Sequence, residues 1–265
     1  MPIQEKCRIL DHQKVAPFHF KITLVSKYIS SHAEPGQFVN VRCSQDYDPL
    51  LRRPLGVHNV NPEEEIFELL YEIVGKGTEL LSKHQVGQEI DILGPLGNGF
   101  DINKDKKVAI LVAGGMGVAP LLYLAKFLRS TIHDPRSIHI LIGTKTKELI
   151  LAEKEFKTLT DNVIVSTDDG SYGKKGFVSD VLLETLDPRT IDASATIYAC
   201  GPKPMLKAIA EIAFQKKIDC QVSMEARMAC GIGTCLGCVI NTTKGYQKVC
   251  DDGPVFDAKE IVWTS

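Results

Sequence analysis

Up to about residue 101 the chain alternates short apolar runs with turn residues. The runs Phe18–Ser26, Gly36–Cys43, Ile66–Val74 and Gln88–Pro95 are rich in Val, Ile and Phe and are bounded by Pro, Gly and Asn. Such runs form strands that bury one face, and none carries the longer period of an extended helix. An antiparallel β-barrel or sandwich is expected here.

From about Lys106 the period changes. The apolar run Val108–Ala113 leads through a Gly-rich turn into the helical stretch Ala119–Ser130. Strand-like runs Ser137–Thr144, Asn162–Thr167 and Ala195–Gly201 then alternate with helical segments Glu153–Leu159, Ser179–Leu186 and Pro204–Lys217. That alternation predicts a parallel α/β layer. Beyond Asp219 the chain turns rich in Gly and Cys, with short strand candidates in Gly237–Thr242 and Gln247–Asp252. The expected class is therefore multidomain α+β, with a barrel over 1–101, a nucleotide-binding α/β domain over 102–219 and a small domain over 220–265.

Composition narrows the function. Apolar residues make up 44% and charged residues 24% of 265, enough apolar surface for a real core and too much for disorder. The net charge of −2 without a basic block offers no footprint for nucleic acid or anionic lipid. No stretch approaches 18 apolar residues and the start lacks a signal-peptide run, so a cytoplasmic protein is expected. In that compartment the eight cysteines read as metal ligands or thiols.

Four of them crowd the tail. Cys230, Cys235, Cys238 and Cys250 follow C-x4-C-x2-C-x11-C, whose first half is the plant-type spacing for a 2Fe-2S cluster. Gly231, Gly233 and Gly237 allow the loop to wrap closely and aim N–H groups at the sulfurs. A structural zinc site or a redox-sensing thiol cluster is the alternative; zinc knuckles more often come as paired C-x2-C with histidine, and this tail has none.

The turn Ala113–Pro120 follows a buried strand and opens a helix, a place suited to a pyrophosphate. Gly114, Gly115 and Gly117 would let the backbone approach, and Pro120 falls in the first turn. The acidic residue of a standard dinucleotide fingerprint is absent, since Gly143, Thr144 and Lys145 end the next strand. Asp168 or Asp169, after a later strand, would instead accept hydrogen bonds from a ribose and repel a 2′-phosphate. Cys200 and Gly201 end another strand and leave room for a flat ring, although Cys200 alone reads equally as a core thiol.

In the first region, Leu51–Gly56 and Ile73–Thr78 each read as strand segments offering phosphate partners. Arg53 supplies a forked cation, and Gly75, Gly77 and Thr78 supply backbone and hydroxyl donors. Read singly, Arg52 and Arg53 are a solvated pair and Val74–Gly77 a hairpin turn.

In order along the chain, Arg53-Pro54-Leu55-Gly56, VGKGT, GPLGNGF (94–100), GGMGVAP and CGP resemble the ferredoxin-NADP reductase superfamily, over nearly the whole length. The tail MEARMACGIGTCLGCV is similar to that of the electron-transfer subunits of type B dihydroorotate dehydrogenases. This resemblance implies FAD along Arg53, Pro54, Leu55 and Gly56, with its pyrophosphate at Gly75, Gly77 and Thr78. It also implies NAD at Gly114–Pro120, a 2Fe-2S cluster on the four cysteines, and no catalytic acid or base. Gly56 departs from the family's usual Ser or Thr. Asp168 stands where NADP-specific relatives place a phosphate-binding residue, which favours NAD. By the same resemblance the partner would be an FMN-containing, dihydroorotate-oxidising subunit in a heterotetramer serving pyrimidine biosynthesis. A ferredoxin- or sulfide-linked NAD(P)H oxidoreductase subunit is the second enzyme reading, and a zinc or redox regulatory module the non-enzymatic one.

Overall fold

A computed structural model describes residues 1–102, 106–131, 137–186, 191 and 194–263. Its first part runs β1 (Ile3–Ala16), β2 (His19–Val25), α1 (Lys27–His32), β3 (Phe38–Val41), β4 (Arg53–Asn61), β5 (Ile66–Glu72), α2 (Lys76–Leu81) and β6 (Glu89–Leu96). The strands close in the order β1-β2-β5-β4-β3-β6, with β6 returning to pair with β1. Closure leaves no unpaired edge. Two-residue alternation sets the inner face: along β6, Ile90, Ile92, Gly94 and Leu96 are buried while their neighbours are not.

The second part runs β7 (Val108–Gly114), α3 (Val118–Thr131), β8 (Ile138–Thr144), α4 (Glu153–Lys157), β9 (Val163–Thr167), β10 (Lys174–Lys175), α5 (Val178–Thr185), β11 (Ala195–Cys200), α6 (Lys203–Lys216) and β12 (Asp219–Ser223). The hairpin β13 (Val239–Thr242) and β14 (Gly245–Lys248) and the strand β15 (Val255–Asp257) follow. The large sheet has the order β10-β9-β8-β7-β11-β12-β15, parallel except for the antiparallel last pair. One apolar cluster joins α3 and α4 to one face, and another joins α5 and α6 to the other. Covered on both sides, β7 and β11 are nearly continuous apolar runs.

The cysteine-rich tail is tied into this sheet. A boundary at 219/220 falls within β12, and β15 lies beyond the last cysteine. The tail therefore leaves the sheet at Ser223 and returns to it at Val255, where these two residues pair. Phe38 on β3 packs in the same apolar cluster as Cys238, Cys250 and Phe256, so the barrel's outer face also supports the tail.

Helix α3 joins the two larger parts. The buried His58 on β4 donates from Nδ1 to the Ala119 carbonyl at 2.9 Å, and Tyr123 Oη donates to the Ala33 carbonyl at 2.7 Å. Burial pushes the His58 imidazolium down from its ordinary value, so the ring folds neutral. A base whose folded pKa is depressed contributes stability above its unfolded value of about 6.5, and loses it as the pH falls. The midpoint of urea unfolding is thus expected to drop between pH 7.5 and 5.5, with a shallower drop in His58→Asn; equal slopes would remove His58 from the account.

Candidate functional site

Arg52 and Arg53 separate in role because adjacent strand residues point to opposite faces. Arg52 is half-buried: Nη2 meets Asp91 Oδ1 at 2.8 Å, and Nη1 donates to the Asp91 and Asn40 carbonyls. Arg52, immediately before β4, thus ties the start of that strand to β3 and β6. Arg53 Nη1 is held by the Leu51 carbonyl at 2.7 Å, and its guanidinium lies against Gly77, where an added Cβ would sit 2.6 Å from Arg53 Nε. The two segments singled out in the sequence therefore meet.

The second segment is not on a strand. Strand β5 ends at Glu72, and Gly75 precedes α2, which begins at Lys76. Thr78 accepts from the Val74 N–H at 3.0 Å and donates to the Gly75 carbonyl at 3.2 Å, so its hydroxyl shapes the turn. The first-turn N–H groups beside the Arg53 fork then provide anion donors. An ion pair between Lys76 and Asp48 ties this turn to the preceding loop. Across these tied segments Tyr47, Leu50, Leu51 and Val74 are exposed apolar side chains. A cation, helix N–H groups and an uncovered apolar rim fit a diphosphate joined to flat rings. Pro54, Leu55 and Gly56 continue along β4, and a Cβ at Gly56 would make only ordinary contact, 3.7 Å from Pro120.

The nucleotide-side residues gather at the carboxyl edge of the parallel sheet, where α/β layers bind ligands. Gly114 ends β7, and Gly115–Gly117 forms one tight turn before α3. This turn interlocks with the end of β11. A Cβ on Gly117 would lie 1.9 Å from the Cys200 carbonyl oxygen, and one on Gly201 would lie 3.0 Å from Gly114 Cα. Gly115, at φ +52°, faces open space and leaves backbone accessible. The thiol of Cys200 is buried and is pushed up to about 12 by that burial, so it stays a neutral packing group. Of the two aspartates after β9, Asp169 is consumed by Ser171, accepting its N–H at 2.9 Å and its hydroxyl at 2.7 Å. The Ser171 hydrogen bonds also hold its carboxyl below the usual range. Asp168 is exposed, with its backbone N–H fixed on the Thr144 carbonyl at 3.0 Å, which leaves its carboxylate at the sheet edge.

In the tail the cysteines come together as two pairs. The Cys235 and Cys230 thiols are neighbours, as are those of Cys238 and Cys250. Among the described residues no three potential ligands converge as on a single metal ion. A 2Fe-2S rhombus takes two thiolates at each iron, so the paired donor set fits it. The loop backbone also points inward: Gly233 N–H donates to Cys250 Sγ at 3.3 Å and Cys235 N–H to Cys230 Sγ at 3.4 Å. Positive φ at Gly231 (71°) and Gly233 (77°) makes that wrap possible. Against the burial that opposes it, N–H groups of Ile232 and Cys235 draw the Cys230 thiol down to about 6. Burial, then the Cys238 thiol, pushes Cys250 up to about 12, a tendency that a bound cation would reverse.

Three side-chain contacts from outside the cysteine motif hold this loop. Lys248 Nζ donates to the Gly233 carbonyl at 3.0 Å and pairs with Asp251. Asn98 Nδ2 reaches from the barrel's end to the Asp251 carbonyl at 2.9 Å. Asn40 Nδ2 reaches from β3 toward the Cys230 carbonyl at 3.5 Å. Asn98 lies within the GPLGNGF segment and so carried a signal; Lys248 and Asn40 carried none.

Comparison with known proteins agrees with this layout. Residues 225–262 match the iron-sulfur cluster binding domain of dihydroorotate dehydrogenase B, and residues 111–211 match an oxidoreductase NAD-binding domain. The chain is 42% identical over 264 residues to the dihydroorotate dehydrogenase B (NAD(+)), electron transfer subunit, of Geobacillus sp. (strain WCH70), covering 98% of each. It belongs to this family. The electron transfer subunit of Caldanaerobacter subterraneus subsp. tengcongensis is 41% identical, covering 97% of this chain and 98% of its own. Among solved structures, an NADH-dependent reduced ferredoxin-NADP oxidoreductase superposes with a TM-score of 0.84 at 33% identity, over 97% of this chain and 90% of its own. As a family member the chain is an oxidoreductase subunit with the ferredoxin-NADP reductase-like fold, an NAD-binding domain and an iron-sulfur domain.

The interlocked glycines yield a test. Gly117→Ala places a methyl inside the Cys200 carbonyl's contact distance, so one turn must move. A rise of at least about tenfold in the NADH concentration for half-saturation is expected, equivalent to about 1.4 kcal/mol, with flavin and iron content unchanged. Unaltered NADH saturation would show that the two turns need not interlock.

Proposed function

We propose that this chain carries electrons from an FMN-containing subunit oxidising dihydroorotate, through a 2Fe-2S cluster and FAD, to NAD+, within a cytoplasmic heterotetramer. The observation that carries the reading is the juxtaposition of three donor sets in one chain: the Arg53–Gly77 turn, the glycine-lined sheet edge and the paired cysteines. When bound, FAD supplies exchange between one-electron and two-electron carriers, and the cluster supplies one-electron storage. The protein's own part is to bind, orient and exclude water.

Arg53 and the N–H groups opening α2, with Gly75, Gly77 and Thr78 shaping the turn, would hold the FAD pyrophosphate. Pro54, Leu55 and Gly56 would line the ring through backbone, because Gly56 has no hydroxyl to offer. Gly114, Gly115, Gly117 and Pro120 would receive the NAD pyrophosphate, with Cys200 and Gly201 beneath the nicotinamide. Asp168 would accept the adenosine ribose hydroxyls and repel a 2′-phosphate. Cys230, Cys235, Cys238 and Cys250 would ligate iron, and the N–H groups of Gly233 and Cys235 would stabilise negative charge on the sulfurs. Residues 1–101 would then serve FAD, the large sheet from 102 through β12 with β15 would serve NAD, and the loop between Ser223 and Val255 would serve the cluster. Eight unpaired thiols suit a reducing compartment.

The purified chain should hold FAD and iron, and NADH should bleach both flavin and cluster bands. Mixed with its dihydroorotate-oxidising partner it should reduce NAD+ when dihydroorotate is added. Coupling to ferredoxin without activity toward dihydroorotate would replace this reading with the one favoured by the ferredoxin-NADP oxidoreductase likeness. Asp168→Ala should narrow the preference for NADH over NADPH by about tenfold, equivalent to about 1.4 kcal/mol of discrimination. An unchanged ratio of the two kcat/KM values would remove Asp168 from cofactor selection.

A further inference from the structure

Strand β3 has an inner and an outer face. Val39 and Val41 point into the barrel core, whereas Phe38 packs in the cluster that contains Cys238 and Cys250. By alternation Asn40 shares the outer face with Phe38. It is 1% exposed, a site where an apolar side chain would be the ordinary choice. Its backbone is paired with Pro54 of β4, and its carbonyl accepts from Arg52 Nη1 at 3.3 Å. Its side chain extends toward the cysteine loop, with Nδ2 3.5 Å from the Cys230 carbonyl oxygen.

Two further observations make this contact specific. The loop has no side chain where the amide enters: a Cβ on Gly231 would lie 1.8 Å from Asn40 Nδ2. The Asn40 Oδ1 is buried without a hydrogen-bond partner among the described residues. Turning the amide over would set two carbonyl oxygens against each other, so the nitrogen belongs at Cys230. An orphaned buried acceptor costs stability that Leu or Val at position 40 would avoid. What the amide gains against that cost is the contact of its nitrogen with the Cys230 carbonyl.

We infer that Asn40 is a positioning residue that fixes the Cys230 side of the cysteine loop against the β3–β4 pair and so sets electron passage between flavin and cluster. The inference rests on the function proposed above. Pro54, Asn40 and Cys230 form a continuous chain of contacts from the proposed flavin strand to a proposed iron ligand. Electron transfer slows steeply as the gap between carriers widens, so a small outward shift of the loop acts on this step. Asn40 touches neither the Arg53–Gly77 turn nor the glycine edge, so binding of NADH and its reaction with flavin are left alone.

The test uses the full chain holding flavin and iron, with Asn40→Leu and Asn40→Asp, each with the same branched four-atom side-chain skeleton as Asn and each lacking the N–H donor. Stopped-flow mixing with NADH resolves flavin bleaching from cluster bleaching, and electron paramagnetic resonance reads the reduced cluster. Expected are flavin reduction within twofold of the unsubstituted protein, cluster reduction slowed at least tenfold, and shifted g-values. Unchanged cluster reduction and g-values in both variants overturn the inference. Loss of iron from both also overturns it, because Asn40 would then be needed to form the loop rather than to align it. If the unsubstituted protein holds no flavin or iron, or if NADH bleaches neither band, it is the proposed function that fails.

Discussion

The antiparallel pairing of β15 with β12 is the constraint on which the cysteine centre depends. Ser223 and Val255 are partners in that pair, so everything between them is a loop whose two ends are fixed at one sheet edge. Loops of this length lose much conformational freedom when ordered, and this one has little core of its own. The sheet supplies the anchor, and β3 supplies the wall. Backbone hydrogen bonds such as Val249 N–H to the Cys238 carbonyl at 3.0 Å, with the Lys248 and Asn98 contacts, then set the thiols in two facing pairs.

The eight cysteines divide by environment. Cys7, Cys43, Cys200 and Cys220 are buried, and burial raises the pKa of each, which keeps them neutral. In the tail, Cys230 and Cys250 receive N–H donors from their own loop, which draw Cys230 toward the thiolate, while burial and the Cys238 thiol still hold Cys250 up. Charge at the cysteine loop is thus met by oriented backbone, while the neighbouring cation Lys248 is engaged with Asp251 and the Gly233 carbonyl.

What the sequence made legible followed from periodicity and from backbone-specific residues. β7 and β11 stand out because both faces of the sheet are covered, and β2 and β6 because one face is. Strand β1 shows no apolar run in the sequence, because Glu5, Lys6 and Arg8 surround its two inward residues, Cys7 and Ile9. Ile73–Thr78 was placed on a strand because Gly75 reads equally as a turn and as the residue before a helix, and only the Thr78 contacts distinguish them. The tail's two sheet strands are short, and β15 finds its partner far back in the chain, a pairing no local window contains. Arg52 and Arg53 were alike in sequence; Asp91 separates them, and it lies on β6. Asn40 had no signal, since a polar residue at an outward strand position ordinarily faces water. What covers it is a loop 190 residues away.

The order of elements along the chain carries a consequence for biosynthesis. All four tail cysteines precede β15, and β15 is the strand that closes their loop. As the chain emerges, the four proposed ligands leave the exit tunnel before the clasp does, because β15 follows Cys250. The thiols become an ordered set only after residues 255–257 have left the exit tunnel and joined β12. An ordered seat for the proposed cluster is therefore timed by the pairing of β15 with β12 rather than by the appearance of the four thiols.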